Sequence, residues 1–325
     1  MGRPETLLLS GKDVAELLTL SECIVAVEEG FRLLGEGKLP PPEILGLQGE
    51  QGGLHVKAAI FQNRRSYFVA KANANFPGNP KQGLPTVQGV VLVYDASNGI
   101  PLAVMDSIEI TILRTGAATA VAAKYLARQD SKVATIAGCG VQGRVQLLSL
   151  LEVLKLESAF VYDTDFSAAE RLAKDSWKIP VTPVRDFGEA LRRSDACVTC
   201  TTAKNFFVKA AEVRPGTFIA GVGADSDQKQ EIDPELFVKS KVVVDSLAQC
   251  AKIGDVHHAV DAGKITPDKV HAELAEVVAG TKPGRKSPDE VCIFDSTGIA
   301  VEDAVSAVRV YERARASGKG TRFSF

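Results

Sequence analysis

The run Gly138-Cys139-Gly140-Val141-Gln142-Gly143 is the sharpest chemical signal in the chain. It follows the apolar stretch KVATIA and opens a helix-forming stretch near Arg144. Between a strand and a helix, the first glycine permits a tight turn and the second lets backbone N–H groups approach a pyrophosphate. The third allows close helix–strand packing, and the helix N-terminus turns its partial positive charge toward the phosphates. Asp163 ends the next apolar stretch, SAFVYD. A carboxylate there accepts hydrogen bonds from both ribose hydroxyls and repels a 2′-phosphate, which favours NAD over NADP. Asp163 could also be a turn or helix-cap residue, because Thr164 and Asp165 are cap formers. The nearest basic side chain suited to a 2′-phosphate, Arg171, is expected well down the following helix.

Charge in otherwise apolar segments marks a second set of candidates. Lys57 interrupts HVKAAI, Lys71 interrupts FVAKAN, and Arg114 interrupts a helix of small residues. Cations converging on one point suit an anionic group, and the arginine fork matches a carboxylate. Asp225 follows the strand-like TFIAGVG, at the edge where a doubly wound sheet binds its ligands, and a carboxylate there can exchange a proton with an amine. Each has a plain alternative: strand lysines on a solvated face, and an aspartate that only caps a turn. Cys197 and Cys200 have C-x-x-C spacing but lie in DACVTCTTA, which reads as a buried strand and not as a redox or metal loop. His257 and His258 are adjacent, so a helix points them apart; they read as surface or helix-end residues, and no metal site is expected.

These residues need elements to carry them. Residues 12–35 read as two short helices. Stretches 54–60, 66–73, 86–95 and 100–106 read as strands separated by turns, giving a mainly antiparallel sheet. From Thr111 an Ala-rich helix leads into alternating short strands and helices, the pattern of a parallel, doubly wound Rossmann sheet. A long helix from about residue 299 closes the chain and can return to the first domain. The expected division is a first domain of residues 1–117 and 297–325 around an NAD-binding domain of residues 118–296.

Composition narrows the function classes. In 325 residues, 38 Lys plus Arg against 40 Asp plus Glu give a net charge of −2, which argues against a nucleic-acid footprint or a polybasic membrane patch. At 45% hydrophobic and 24% charged residues the chain is globular, and no apolar run is long enough to span a bilayer. Acidic residues appear too early for a secretory signal, and Met1-Gly2 lacks the Ser or Thr of a myristoylation motif. With six cysteines, too few for a disulfide scaffold, a reducing, cytoplasmic setting is expected.

Five ordered segments, GLPTVQGVVLVYD (83–95), ITILRTGAATAVAAKYLA (110–127), IAGCGVQGR (136–144), GVGADSDQKQEID (221–233) and FDSTGIAVED (294–303), resemble the ornithine cyclodeaminase/mu-crystallin family across essentially the whole chain. This family includes alanine dehydrogenases and ketimine reductases. The resemblance implies a homodimer with a substrate and dimerisation domain and a dinucleotide-binding Rossmann domain. It implies that Lys71 and Arg114 hold a substrate carboxylate, that Asp225 exchanges a proton at the substrate nitrogen, and that Thr297 lies beside the substrate. Thr86, Arg114, Val141, Gln142, Asp163, Thr201, the segment Ile219, Ala220, Gly221 and Val222, Lys229 and Ser296 fall where the family contacts its dinucleotide. The chain departs from the family in carrying Pro42-Glu43-Ile44 where many members place an arginine. Lys57 is the candidate replacement, with His55 or Glu43 at the substrate's other end.

The expected activity is NAD-dependent oxidation or reduction at the C–N bond of a small α-amino or α-imino acid, as in an alanine dehydrogenase or ketimine reductase. The same residues serve a cyclodeaminase using NAD catalytically, and a non-catalytic mu-crystallin-like binding protein is a third expectation.

Overall fold

The computed structural model describes residues 5–324, so the readings made on Met1 and Gly2 lie outside the described residues. The chain divides into two compact units: the stretch up to Ala117 joined by the stretch from Ile299, and the stretch Ala118–Gly298 between them.

The first unit begins with β1 (Thr6–Leu9), α1 (Gly11–Leu17) and α2 (Leu20–Gly35). Reciprocal caps start both helices: Ser10 with Asp13, and Thr19 with Glu22, each pair satisfying N–H groups that a helix start leaves bare. Then come β2 (Glu43–Gln48), β3 (Gly53–Gln62), β4 (Ser66–Asn75), β5 (Val87–Asp95) and β6 (Pro101–Asp106), followed by α3 (Ile108–Leu126). The second unit takes the end of α3 and continues as β7 (Val133–Ala137), α4 (Val141–Val153), β8 (Ser158–Tyr162), α5 (Phe166–Ala173), β9 (Val181–Pro183), α6 (Phe187–Leu191) and β10 (Ala196–Thr199). It ends with β11 (Phe218–Gly221), α7 (Pro234–Lys239), β12 (Lys241–Val244), α8 (Leu247–Ile253), α9 (Asp255–Asp261), β13 (Ala272–Glu273), α10 (Leu274–Val278) and β14 (Cys292–Asp295). The chain returns to the first unit through α11 (Ala300–Ser317) and β15 (Thr321–Phe323).

In the first unit, seven strands line up as β15-β1-β6-β5-β4-β3-β2, antiparallel except for β1 with β6. Period-two alternation divides this sheet by face. Tyr67, Val69 and Lys71 of β4 are buried on the side that α11 covers. The opposite face is apolar and open: Phe68 pairs with Ile60 and Tyr94, and Ala72 with Val56 and Val90.

The second unit is an all-parallel sheet ordered β13-β12-β14-β11-β10-β7-β8-β9. Strands β7, β10, β11 and β14 are almost wholly buried, as expected where helices flank both faces. The order reverses between β7 and β10, so loops leaving those strands diverge and open a crevice at their C-terminal ends. Strands β1, β2 and β15 are absent from the sequence reading. Each pairs at or near the margin of the first sheet, and the exposed β2 has no alternation to read.

Candidate functional site

The cation set belongs to the first unit. Lys57 and Lys71 are direct cross-strand partners of β3 and β4, on the face toward α11. Like charges placed opposite each other destabilise a sheet unless something answers them. The answer comes from the first turn of α11, where Glu302 and Asp303 are both 1% exposed. Lys71 Nζ donates to Asp303 Oδ1 at 2.7 Å. Arg114, projecting from α3, donates from Nη1 to Glu302 Oε2 at 2.9 Å and brings Nε to 3.2 Å from Asp303 Oδ1. Glu302 also accepts the Ile299 N–H at 3.1 Å, so one carboxylate both ties down the start of α11 and orients the guanidinium.

Burial disfavours the Lys71 cation, Arg114 and Lys57 add repulsion, and its pKa falls to about 7 despite Asp303. Burial also opposes the charge on Asp303, but Lys71 and Arg114 outweigh it and hold this carboxyl below the usual range. Lys57, Lys71 and Arg114 thus gather at one place, a set of cations suited to a carboxylate, with Glu302 and Asp303 orienting two of them. Glu302 and Asp303 are missing from the sequence reading of the site. Their signal was visible as two adjacent acids opening an otherwise Ala/Val-rich helix.

Two expectations around Lys57 separate. His55 shares its face, while Glu43 pairs with Ala58 and therefore sits on the opposite face of the sheet, so Glu43 is withdrawn as a reader of the same ligand. Thr86 lies just before β5, where its carbonyl accepts the Phe76 N–H at 2.8 Å.

The glycine turn belongs to the second unit, at the end of β7. Gly138 has φ +97°, a conformation that strains any other residue. A Cβ on Gly143 would lie 1.9 Å from the Gly138 carbonyl oxygen, whereas one on Gly140 would meet nothing within 4 Å. The space in front of Gly140 is therefore open, at the N-cap of α4, where no side chain caps the helix. Val141 is 64% exposed there. Asp163, half-buried, accepts the Cys139 N–H at 2.8 Å and the Asp165 N–H at 2.9 Å. One carboxylate thus braces the turn and keeps lone pairs for a ribose. These residues fit a dinucleotide. Arg171 reaches back along α5 to Ser167 Oγ at 2.9 Å and Asp165 at 3.4 Å.

The remaining candidates lie at the C-terminal edge of this sheet. Ile219 and Ala220 are fully buried within β11, Ile219 in the apolar core, which removes their side chains from any ligand-facing role; Gly221 ends the strand and Val222 follows it. Ser296 donates to Asp245 at 3.0 Å and Thr297 to the same carboxylate at 3.2 Å, so buried Asp245 sets both hydroxyls. Asp225 is exposed in the loop after β11 and takes a hydrogen bond from Lys229 Nζ at 2.5 Å. Thr201 follows β10 and is held by Glu231. Neither Asp245 nor Glu231 was singled out from sequence.

Cys197 is buried in β10 as expected, but the strand stops at Thr199, so Cys200 begins a loop and donates its thiol to the Ala137 carbonyl at 3.3 Å. His258 stands in the last turn of α9, as a helix-end residue, and its Nε2 lies 2.8 Å from the Lys229 carbonyl. No helix of the described residues is long and apolar enough to cross a membrane.

Known proteins are similar to the chain over nearly its full length. The alanine dehydrogenase of Archaeoglobus fulgidus is 40% identical over 321 residues, 99% of this chain and 99% of that protein. An archaeal alanine dehydrogenase dimer with bound NAD matches at TM-score 0.95 and 40% identity, covering 99% of this chain and 100% of the other. The Thermococcus litoralis Delta(1)-pyrroline-2-carboxylate reductase, in complex with NADH and L-proline, matches at TM-score 0.92 and 39% identity, covering 97% and 99%. The ornithine cyclodeaminase/mu-crystallin family model matches residues 4–318, and the chain belongs to that family.

Proposed function

We propose that the protein is an NAD-dependent oxidoreductase acting on the C–N bond of a small α-amino or α-imino acid, as an alanine dehydrogenase or imine reductase. The observation that carries this reading is the buried Lys71–Arg114 pair, oriented by Glu302 and Asp303, in a chain that also has an open glycine cradle. Lys71 and Arg114 hold the substrate carboxylate, with Lys57 supplying the third cation. When bound, NADH supplies the hydride for the substrate α-carbon, with Gly140, Val141 and Gln142 facing its pyrophosphate and Asp163 its ribose. Asp225 gives or takes the proton at the substrate nitrogen through its carboxylate, and Thr297 lies beside the substrate. Thr86, Thr201, Gly221, Val222, Lys229 and Ser296 complete the dinucleotide set.

The enzyme acts as a homodimer. The open sheet face supports this: Leu45 and Leu47 are each 55% exposed, Phe68 44% and Val90 40%, a patch too apolar to suit a lone soluble chain. The relative of known structure with bound NAD is itself a dimer. Six free thiols suit a cytoplasmic setting.

The test is NADH absorbance with pyruvate plus ammonia and with a cyclic imine. Stoichiometric NADH oxidation is expected. Ammonia release from ornithine or lysine without NADH change would replace this reading with cyclodeamination, and inactivity in both assays would overturn it.

A further inference from the structure

Glu231 is 0% exposed and makes more hydrogen bonds than its place in a loop would suggest. Its Oε1 accepts the Thr201 N–H at 2.7 Å and the Thr201 hydroxyl at 2.7 Å. Its Oε2 accepts the Thr199 hydroxyl at 2.8 Å and the Gly223 N–H at 2.9 Å. An ionised carboxylate has about four such acceptor sites, and all are used. The donors come from the end of β10 and from the loop leaving β11, so one side chain ties together two neighbouring strand ends.

The backbone of Glu231 is equally fixed. Its N–H donates to Asp255 Oδ1 at 2.8 Å, and its carbonyl accepts the Phe207 and Val208 N–H groups, each at 3.0 Å. A Cβ on Gly223 would fall 2.6 Å from the Glu231 carboxyl carbon, so only glycine lets the loop come this close. The far end of the loop is pinned as well: the Gln230 N–H donates to the Ala203 carbonyl at 2.9 Å, and His258 holds the Lys229 carbonyl. Between the two anchors stands exposed Asp225, two residues past Gly223.

We propose that Glu231 is a positioning residue: by fixing Thr201 and Gly223 to one buried carboxylate, it sets where the Asp225 loop lies relative to the end of β10. The inference rests on the role given to Asp225 above. It assigns Glu231 no contact with substrate or cofactor; it acts through the loop. Misplacing a reacting group by about 1 Å can cost about 100-fold in rate, so the effect belongs in kcat. The adenosine end of the cofactor depends on the glycine turn and Asp163, which Glu231 does not touch.

The experiment uses the full chain with Glu231→Ala, Glu231→Gln and the milder Thr199→Val, which deletes one of the four bonds within a buried strand. Amide hydrogen exchange on the cofactor-free protein is expected to speed about tenfold or more at 201 and 223 in Glu231→Ala. Per folded enzyme, kcat for imine reduction falls about 100-fold, the weakening of NADH binding that comes through Thr201 stays well short of that fall, and Glu231→Gln recovers part of the rate. Thr199→Val loses about fivefold in kcat and Thr199→Ser restores it, a readout that survives if Glu231→Ala fails to fold. Unchanged exchange at 201 and 223, or a Thr199→Val enzyme with wild-type kcat, would overturn the role of Glu231. A wild type idle on every imine and amino acid would instead overturn the function proposed above, and the exchange measurement would still decide whether Glu231 holds the loop.

Discussion

Lys71 must stay charged to hold a carboxylate, yet it is buried, where charge is costly. Burial and the neighbouring Arg114 bring its pKa to about 7. The binding form is the cation, so it dominates below pH 7 and is lost above, the folded-state value lying below that of an exposed lysine. KM for a carboxylate substrate is therefore expected to rise above pH 7, by up to about tenfold per pH unit, while Lys71→Arg, which cannot deprotonate, flattens the rise. Asp303→Ala leaves Lys71 and Arg114 without a shared partner; removing one member of a buried ion pair costs about 3–5 kcal/mol, readable by urea unfolding. Asp225→Asn leaves folding intact, because the side chain is exposed, and lowers kcat by about 10²–10⁴ if this carboxylate moves the proton. Equal steady-state rates for variant and wild type would remove Asp225 from the mechanism.

The strand–turn–helix unit from β7 to α4 gives its glycines unlike duties, and the difference can be measured. Gly143 packs against the Gly138 carbonyl with no room for a methyl group, so Gly143→Ala forces the turn apart and lowers the melting temperature. Gly140 faces open space, so Gly140→Ala keeps the fold and its melting temperature. The added methyl stands where a pyrophosphate approaches, and NADH affinity, followed by nicotinamide fluorescence, falls about tenfold or more. Loss of stability without loss of affinity in Gly140→Ala would mean that the cradle does not bind phosphate. On α11 the same economy is visible, since the acids that favour its N-terminus also neutralise Lys71 and Arg114.

Taken whole, the molecule leaves an apolar sheet face that nothing in its own unit justifies. Leu45 on β2, Phe68 on β4 and Val90 on β5 stand on that face. The double substitution Leu45→Glu and Phe68→Glu places charge there without touching the opposite, α11-covered side. Sedimentation is expected to show a monomer, since each large apolar side chain removed from water contributes about 1.5–3 kcal/mol. A dimer that persists would place the interface elsewhere.

The alternation of strands and helices from β7 to β10, the parallel character of the second sheet, the glycine turn and Asp163 are legible in the residues, because each depends on neighbours within a few positions along the chain. Period-two and helical patterns report which side of an element is buried, and glycine reports a backbone that no other residue tolerates. What answers the buried cations is not legible that way. Lys71 and Asp303 lie 232 residues apart, and no local preference distinguishes Asp303 from any solvated acid in a helix's first turn. Likewise, only the register of β2 against β3 shows that Glu43 faces away from Lys57, and only the meeting of β10 and β11 turns Glu231 into a four-bond anchor. Burying a charge demands partners, and the tertiary fold alone decides which groups are near enough to supply them.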